Sequence, residues 1–334
     1  MKRLGLFLGV FALLIAAPLA MAGDFHSGST LICADCHVMH YSQTHGYNED
    51  GSGIYAPLGN DGPYHYLLRN EINDLCLTCH NNASFAPDVL GANSNGYVRA
   101  GGALNRDGTA PYYHATGHTL DATDVAPGGS WTNPDGLHCT DCHHQHGAGG
   151  AYRNLRVKTG TAPSNSTVTY AIGTNDLTKD VFERNTTPMA AHYAYDNVDF
   201  NEPVQTDSKY AMFCKGCHTE FHGAKGGTEV GGSATGEWLR HPNSDANIGG
   251  IGGGHSRLSQ YNGKVNKVKV MSATGVWDPA PADVTPSCMS CHKAHGNQHG
   301  FGLIFMSGTG TVTEEGDANG VSAKDLCKQC HIQG

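Results

Sequence analysis

Charge is scarce in this chain of 334 residues: Asp, Glu, Lys and Arg make up 15% of it, with a net charge of −9. That acid excess excludes nucleic acid and an anionic membrane surface as partners held through a basic face. Apolar residues, at 39%, fall below the usual globular share, so the side chains alone can build only a small core. No apolar stretch beyond the N-terminus is long enough to cross a bilayer. Catalytic signatures are missing too. The glycine run GGIGGGH (249–255) lacks the lysine and serine of a phosphate loop, and there is no metalloprotease or nucleophile-elbow pattern. No fixed repeat length and no linker of distinct composition divides the chain, and NEDGSG (48–53) reads as a plain turn rather than a calcium loop.

What the chain has in excess is cysteine and histidine in one arrangement. All 12 cysteines fall into C-x-x-C pairs, each followed at once by histidine: Cys33/Cys36/His37, Cys76/Cys79/His80, Cys139/Cys142/His143, Cys214/Cys217/His218, Cys288/Cys291/His292 and Cys327/Cys330/His331. No cysteine is left over. A lone C-x-x-C suits a disulfide, a redox pair or a zinc knuckle, whereas C-x-x-C-H repeated six times is the attachment signature of c-type haem. Two thiols reach the two vinyl groups on one porphyrin edge, and the adjacent histidine reaches the iron from the same side. Six covalently bound haem c groups are predicted, with the six motif histidines as proximal ligands.

The first 22 residues read as an export signal. Lys2 and Arg3 open it, an apolar run follows from Leu4 to Ala17, and Ala20-Met21-Ala22 supplies a small-x-small cleavage site. The mature chain is expected to leave the cytoplasm, and covalent attachment of c-type haem takes place on the far side of that membrane, so the two signals agree. Residues 23–334 are expected to form a single hexahaem domain.

The remaining histidines address the second axial position of each iron. Of the eight methionines, Met1 and Met21 fall within the signal, and the rest show no clear placement as ligands, so histidine on both faces is expected. His40 lies three residues beyond His37, too close to reach around the porphyrin to the far face of its own iron. It must serve another haem or none. The same spacing recurs at His146 and His295, and one residue longer at His222. If each of these histidines ligates a neighbour, consecutive haems are stitched into a stacked wire. His118 and His241, in loops marked by glycine or proline, complete the preferred distal set of His40, His118, His146, His222, His241 and His295. His26, His138 and His255 form a second tier, while His45, His65, His114, His144, His192 and His299 are expected to stay unliganded.

Glycine, asparagine, serine and proline dominate between the motifs, for example in GGSATGEWLRHPNSDANIGGIGGGH (231–255). The expected fold is mostly irregular and loop-rich, with short helices and a few short strands, folded around a chain of six stacked haems. STVTYAI (166–172), KVNKVKVM (264–271) and FGLIFM (301–306) are expected to be extended.

The stretches FHSGSTLICADCHVMHYSQTHG, GPYHYLLRNEINDLCLTCH, LHCTDCHHQHG, CKGCHTEFH followed by LRHP, CMSCHKAHG and the terminal LCKQCH resemble, in order and across the mature chain, the OmcS-type hexahaem cytochromes that polymerise into conducting filaments. That resemblance implies a secreted, extracellular homopolymer passing electrons to other cytochromes or external acceptors. It also implies that His40 crosses to the next subunit and ligates the iron held by Cys288, Cys291 and His292. The segment between the fifth and sixth motifs is shorter here than in that type. The competing expectation is a periplasmic multihaem carrier, or a reductase of nitrite, hydroxylamine or a sulfur oxyanion. Such reductases often replace one motif histidine by lysine, and all six motifs here end in histidine.

Overall fold

The structure is a computed structural model. It describes residues 26, 31–38, 58–59, 62, 64–83, 86, 88–90, 101–105, 117–147, 151–162, 164–170, 200–201, 209–219, 258–268, 270–272, 284–313, 316–317 and 319–331. The export signal lies outside the described residues, as do His40, His222, His241 and His255.

Helices form where the cysteine motifs are. They comprise α1 (Cys33–Cys36), α2 (Ile72–His80), α3 (Cys139–Cys142), α4 (Lys209–Lys215), α5 (Leu258–Asn262), α6 (Cys288–Cys291) and α7 (Ala323–Cys327). Of these, α5 alone carries no cysteine. In five motifs the histidine amide donates to the carbonyl of the first cysteine, from His37 to Cys33, His143 to Cys139, His218 to Cys214, His292 to Cys288 and His331 to Cys327, at 2.8–3.0 Å. One helical turn therefore sets both thiols on one side with the imidazole beside them.

The cap is encoded locally. Between the cysteines, Asp35 accepts from the Ile32 amide and Asp141 from that of His138, both at 2.8 Å, while the Ser290 hydroxyl accepts from the Ser287 amide at 2.9 Å. A side chain that satisfies the amide ahead of the turn lets so short a helix begin.

The strands are two residues long and pair antiparallel in sequence order: β1 (Thr169–Tyr170) with β2 (Phe200–Asn201), β3 (Met271–Ser272) with β4 (Val284–Thr285), and β5 (Val312–Thr313) with β6 (Gly316–Asp317). The expectation of extended chain is met in part. Within 166–172 the pairing covers β1, and within 264–271 it reaches Met271 alone. Segment 301–306 begins instead as a 3-10 turn (Gly300–Gly302), because Phe301 adopts a left-handed φ of 61° before Leu303 and Phe305 make single bridges.

A small apolar core gathers Tyr152, Leu155, Val168, Tyr210, Tyr261, Val268, Val270, Ile304, Met306 and Leu326. Its polar centre is Gln329, fully buried, which accepts from the Val268 amide at 3.0 Å and donates to the Met306 carbonyl at 2.9 Å. The described residues are thus loop-rich, with brief helices that present thiols and imidazoles.

Candidate haem-binding site

Three of the motifs are built on one plan. After α1, α3 and α6, the motif histidine bridges antiparallel to a leucine from another segment: His37 to Leu68, His143 to Leu155 and His292 to Leu303. Each leucine follows a 3-10 turn, at His65–Leu67, Tyr152–Asn154 and Gly300–Gly302, whose middle residue has positive φ: Tyr66, Arg153 and Phe301. The carbonyl of that middle residue meets the histidine Nδ1, at 3.0 Å for His37, 2.9 Å for His143 and 2.7 Å for His292. A carbonyl accepting from Nδ1–H puts the lone pair on Nε2, which then faces away from the turn. His218 Nδ1 meets the Pro127 carbonyl in the same way at 2.8 Å. This backbone support was not anticipated from sequence; a leucine after a tight turn is its faint signal.

Four motif histidines face a second imidazole. Ring centres lie 6.2 Å apart for His37 and His146, 6.0 Å for His26 and His80, 6.2 Å for His143 and His295, and 6.0 Å for His118 and His218. An imidazole nitrogen binds a first-row metal at about 2 Å and lies about 1 Å from its ring centre, so two imidazoles on opposite sides of one metal have centres about 6 Å apart. Each of the four separations fits an iron held between the rings; the separation alone does not mark one, since His144 and His146 also lie 6.1 Å apart, edge-on. Direct stacking gives a far shorter distance, as in His299 on Phe305 at 3.7 Å.

Two of the pairs link motifs that are not adjacent. His146, three residues beyond the third motif's histidine, faces the first motif, and His295, beyond the fifth, faces the third. The sequence predicts each such histidine beside a neighbouring motif; the structure brings His146 and His295 each to the motif two places back. His26 takes its place facing His80, while His138 precedes α3 and donates its amide to Asp141; among the described residues no motif imidazole faces it. His144 lies edge-on to His146 and His65 against Tyr66.

Glycine makes the His118 and His295 placements fit. The His295 loop lies between two segments: the Ala103 amide donates to Gly296 at 2.9 Å, the His295 amide to Gly101 at 2.6 Å, and the His118 amide to the His295 carbonyl at 2.9 Å. A Cβ on Gly117 would stand 2.4 Å from the Gly296 Cα, so the two backbones meet where only glycine fits. His118 Nδ1 meets the Ala294 carbonyl at 2.6 Å, so one loop orients both histidines.

Successive motifs touch. The Asn73 side chain in α2 donates to Asp121 at 2.7 Å and to the Leu137 carbonyl at 2.9 Å, and it accepts from the Cys139 amide at 2.9 Å, tying the second motif to the third. Hydrogen bonding with Cys139, then burial, pushes the Cys76 thiol up. Burial is the main cause that raises Cys36 to about 11 and Cys142, Cys291 and Cys330 to about 12; Cys79 adds to the first, Cys217 to the second and Cys330 to the third. These are neutral thiols meeting in pairs along the motif order. Burial also lowers His118, His143 and His292, and takes His295 to about 3, so these rings are neutral with a nitrogen lone pair available.

Among the described residues no helix is long and apolar enough to cross a membrane, and no group of three or more histidine, cysteine or carboxylate side chains is gathered to hold a metal ion by itself. The arrangement suits porphyrin: paired thiols to fix an edge, paired imidazoles to clamp an iron, and a chain poor in apolar side chains.

No family model matches the chain. It is similar to the C-type cytochrome OmcS of Geobacter sulfurreducens, 22% identical over 369 residues, covering 88% of this chain and 82% of that protein. Among solved structures it is similar to an outer membrane cytochrome S filament from Geobacter sulfurreducens, with a TM-score of 0.46, 19% identity and 84% of each chain covered. It is also similar to the OmcS nanowires of that organism, with a TM-score of 0.42, 17% identity, and 91% of this chain and 94% of the other covered.

Proposed function

We propose that this chain is an OmcS-type multihaem c-type cytochrome, exported, extracellular and polymerised into filaments that carry electrons to external acceptors. Residues 23–334 form its single domain once the signal (1–22) is removed. The group supplied at each site is haem c, whose iron exchanges one electron without bond making. The chain's own residues do the rest. The cysteines would fix each porphyrin, and the paired imidazoles would hold its iron and leave no place for a substrate. On this reading the protein is an electron carrier and not an enzyme.

The ligand pairs are His37 with His146, His80 with His26, His143 with His295 and His218 with His118. The step of two carries the polymer reading. The first motif borrows His146 from the third, and the third borrows His295 from the fifth. For the fifth, the resemblance to the OmcS-type cytochromes points to a histidine lent by a second copy. The corresponding histidine is His40 of the first motif, and a second copy, placed as the next in the series, offers it to the iron held by His292. Of the 12 cysteines only Cys33 and Cys327 are exposed, the first of the first motif and the first of the last, where one copy's haem would meet the next.

The deciding experiment replaces His40 with alanine in the secreted protein. The expected product is a soluble six-haem subunit that forms no filaments by electron microscopy and has one high-spin iron. Filaments of unchanged length would overturn the assembly, and mass spectrometry without six added haem masses would overturn the cofactor assignment.

A further inference from the structure

We propose that Arg69 sets the reduction potential of the first haem, its buried guanidinium holding that potential up against Asp35. The inference rests on the multihaem reading above. The first, third and fifth motifs share their backbone, and a residue follows each bridged leucine in the same role: the amides of Arg69, Arg156 and Ile304 donate to the Cys36, Cys142 and Cys291 carbonyls at 2.9, 2.9 and 2.8 Å. Between the cysteines the capping group is Asp35, Asp141 and Ser290 in turn. Two positions in one scaffold thus read Asp and Arg, Asp and Arg, then Ser and Ile.

The charges differ in exposure. Arg69 is 1% exposed and Asp35 6%, whereas Arg156 is exposed and donates from Nη1 to the Thr140 carbonyl at 2.8 Å. Arg69 Nη1 lies 3.5 Å from the Ala34 carbonyl, between the two cysteines that would carry the porphyrin. Asp35 Oδ1 is buried with no hydrogen-bond partner. Burying charge is costly, and the fifth motif shows that the same turn, cap and bridge form with Ser290 and Ile304, each 1% exposed. The scaffold therefore does not need the charges. Charge buried beside a redox centre acts through a low dielectric and is little screened by salt. A cation there favours the iron that has gained an electron, and an anion favours the iron that has lost it. The step affected is transfer of one electron from an adjoining haem or an electrode, with no bond made or broken.

The test is spectroelectrochemical titration of the secreted, haem-loaded protein. Arg69→Met is expected to move one of six one-electron steps downward by about tenfold in its reduction equilibrium, about 59 mV, while Arg69→Lys, which keeps the charge, leaves it in place. Arg156→Met, at a screened site, is expected to shift its step by less. Asp35→Asn keeps the oxygen acceptor and is expected to move the same step upward, which decides the matter if Arg69→Met does not load haem. A step that moves equally in the Met and Lys variants, or moves in neither Arg69→Met nor Asp35→Asn, overturns the proposal. Absence of six low-spin haems in the unmodified protein would instead overturn the cytochrome reading.

Discussion

Asn73 shows how much one side chain can carry in a chain with little apolar core. Its amide serves Asp121, the Leu137 carbonyl and the Cys139 amide at once, and it is almost wholly buried. Replacing it with alanine strands a half-buried donor on Cys139 and a half-buried acceptor on Leu137. The expected cost is about 2–3 kcal/mol, read as a lower midpoint in denaturant unfolding of the haem-loaded protein. His118 tests the ligand pairs at the same scale. His118→Ala is expected to turn one iron of six high-spin in ferric spectra, with the others unchanged. The proximal residues could be read at once from the sequence, because two thiols and an imidazole within five consecutive residues form one turn of helix whatever lies around them. The partners could not. His118 and His218 meet across distant loops, and what brings them together is a glycine crossing at Gly117 and Gly296, which leaves no periodic mark. His26 could be named only as a second-tier candidate for the same reason.

At the scale of elements, short turns need something to hold their ends, and the tail uses carboxylates. Asp317, in β6, accepts from the Gly308 amide at 2.8 Å, the Ser307 hydroxyl at 3.0 Å and the Asn319 amide at 3.1 Å. Burial alone would raise its carboxyl, but these hydrogen bonds outweigh it and hold it below the usual carboxylate range. A carboxyl lowered in the folded state contributes stability that is full above its unfolded value, about 3.9, and disappears as pH falls through the lower folded value. Asp317→Asn is expected to cost about 1–2 kcal/mol at pH 7 and less near pH 3, measured by unfolding midpoints across that range. The glycine crossing makes the companion case. Gly117→Ala forces apart the segments that carry His118 and His295, so two irons are expected to lose low-spin character together, where His118→Ala changes one. The brevity of the strands was legible in the glycine-rich spacing. The 3-10 turns were not, because Tyr66 and Arg153 hold positive φ where their identity gives no hint of it.

For the whole molecule, the proposed borrowing by steps of two would make the contact between copies head to tail, the kind that yields a fibre where the rotation between copies closes no ring. A copy with His40→Ala can still receive a histidine at His292 but can offer none. Added in small amounts to the unmodified protein during assembly, it is expected to stop growth at one end, and mean filament length by electron microscopy is expected to fall as its fraction rises. The loop-rich architecture was readable from composition and spacing, since it depends on local residues.

Under the proposed assembly, the offset between lender and borrower would also make a finished fibre polar. At one tip a histidine would have no iron to bind, and at the other an iron would lack its sixth ligand. Carbon monoxide, excluded along the shaft, should bind at that second tip alone. The gas taken up per unit mass of reduced protein would then count the fibres, and shearing the same sample should raise it.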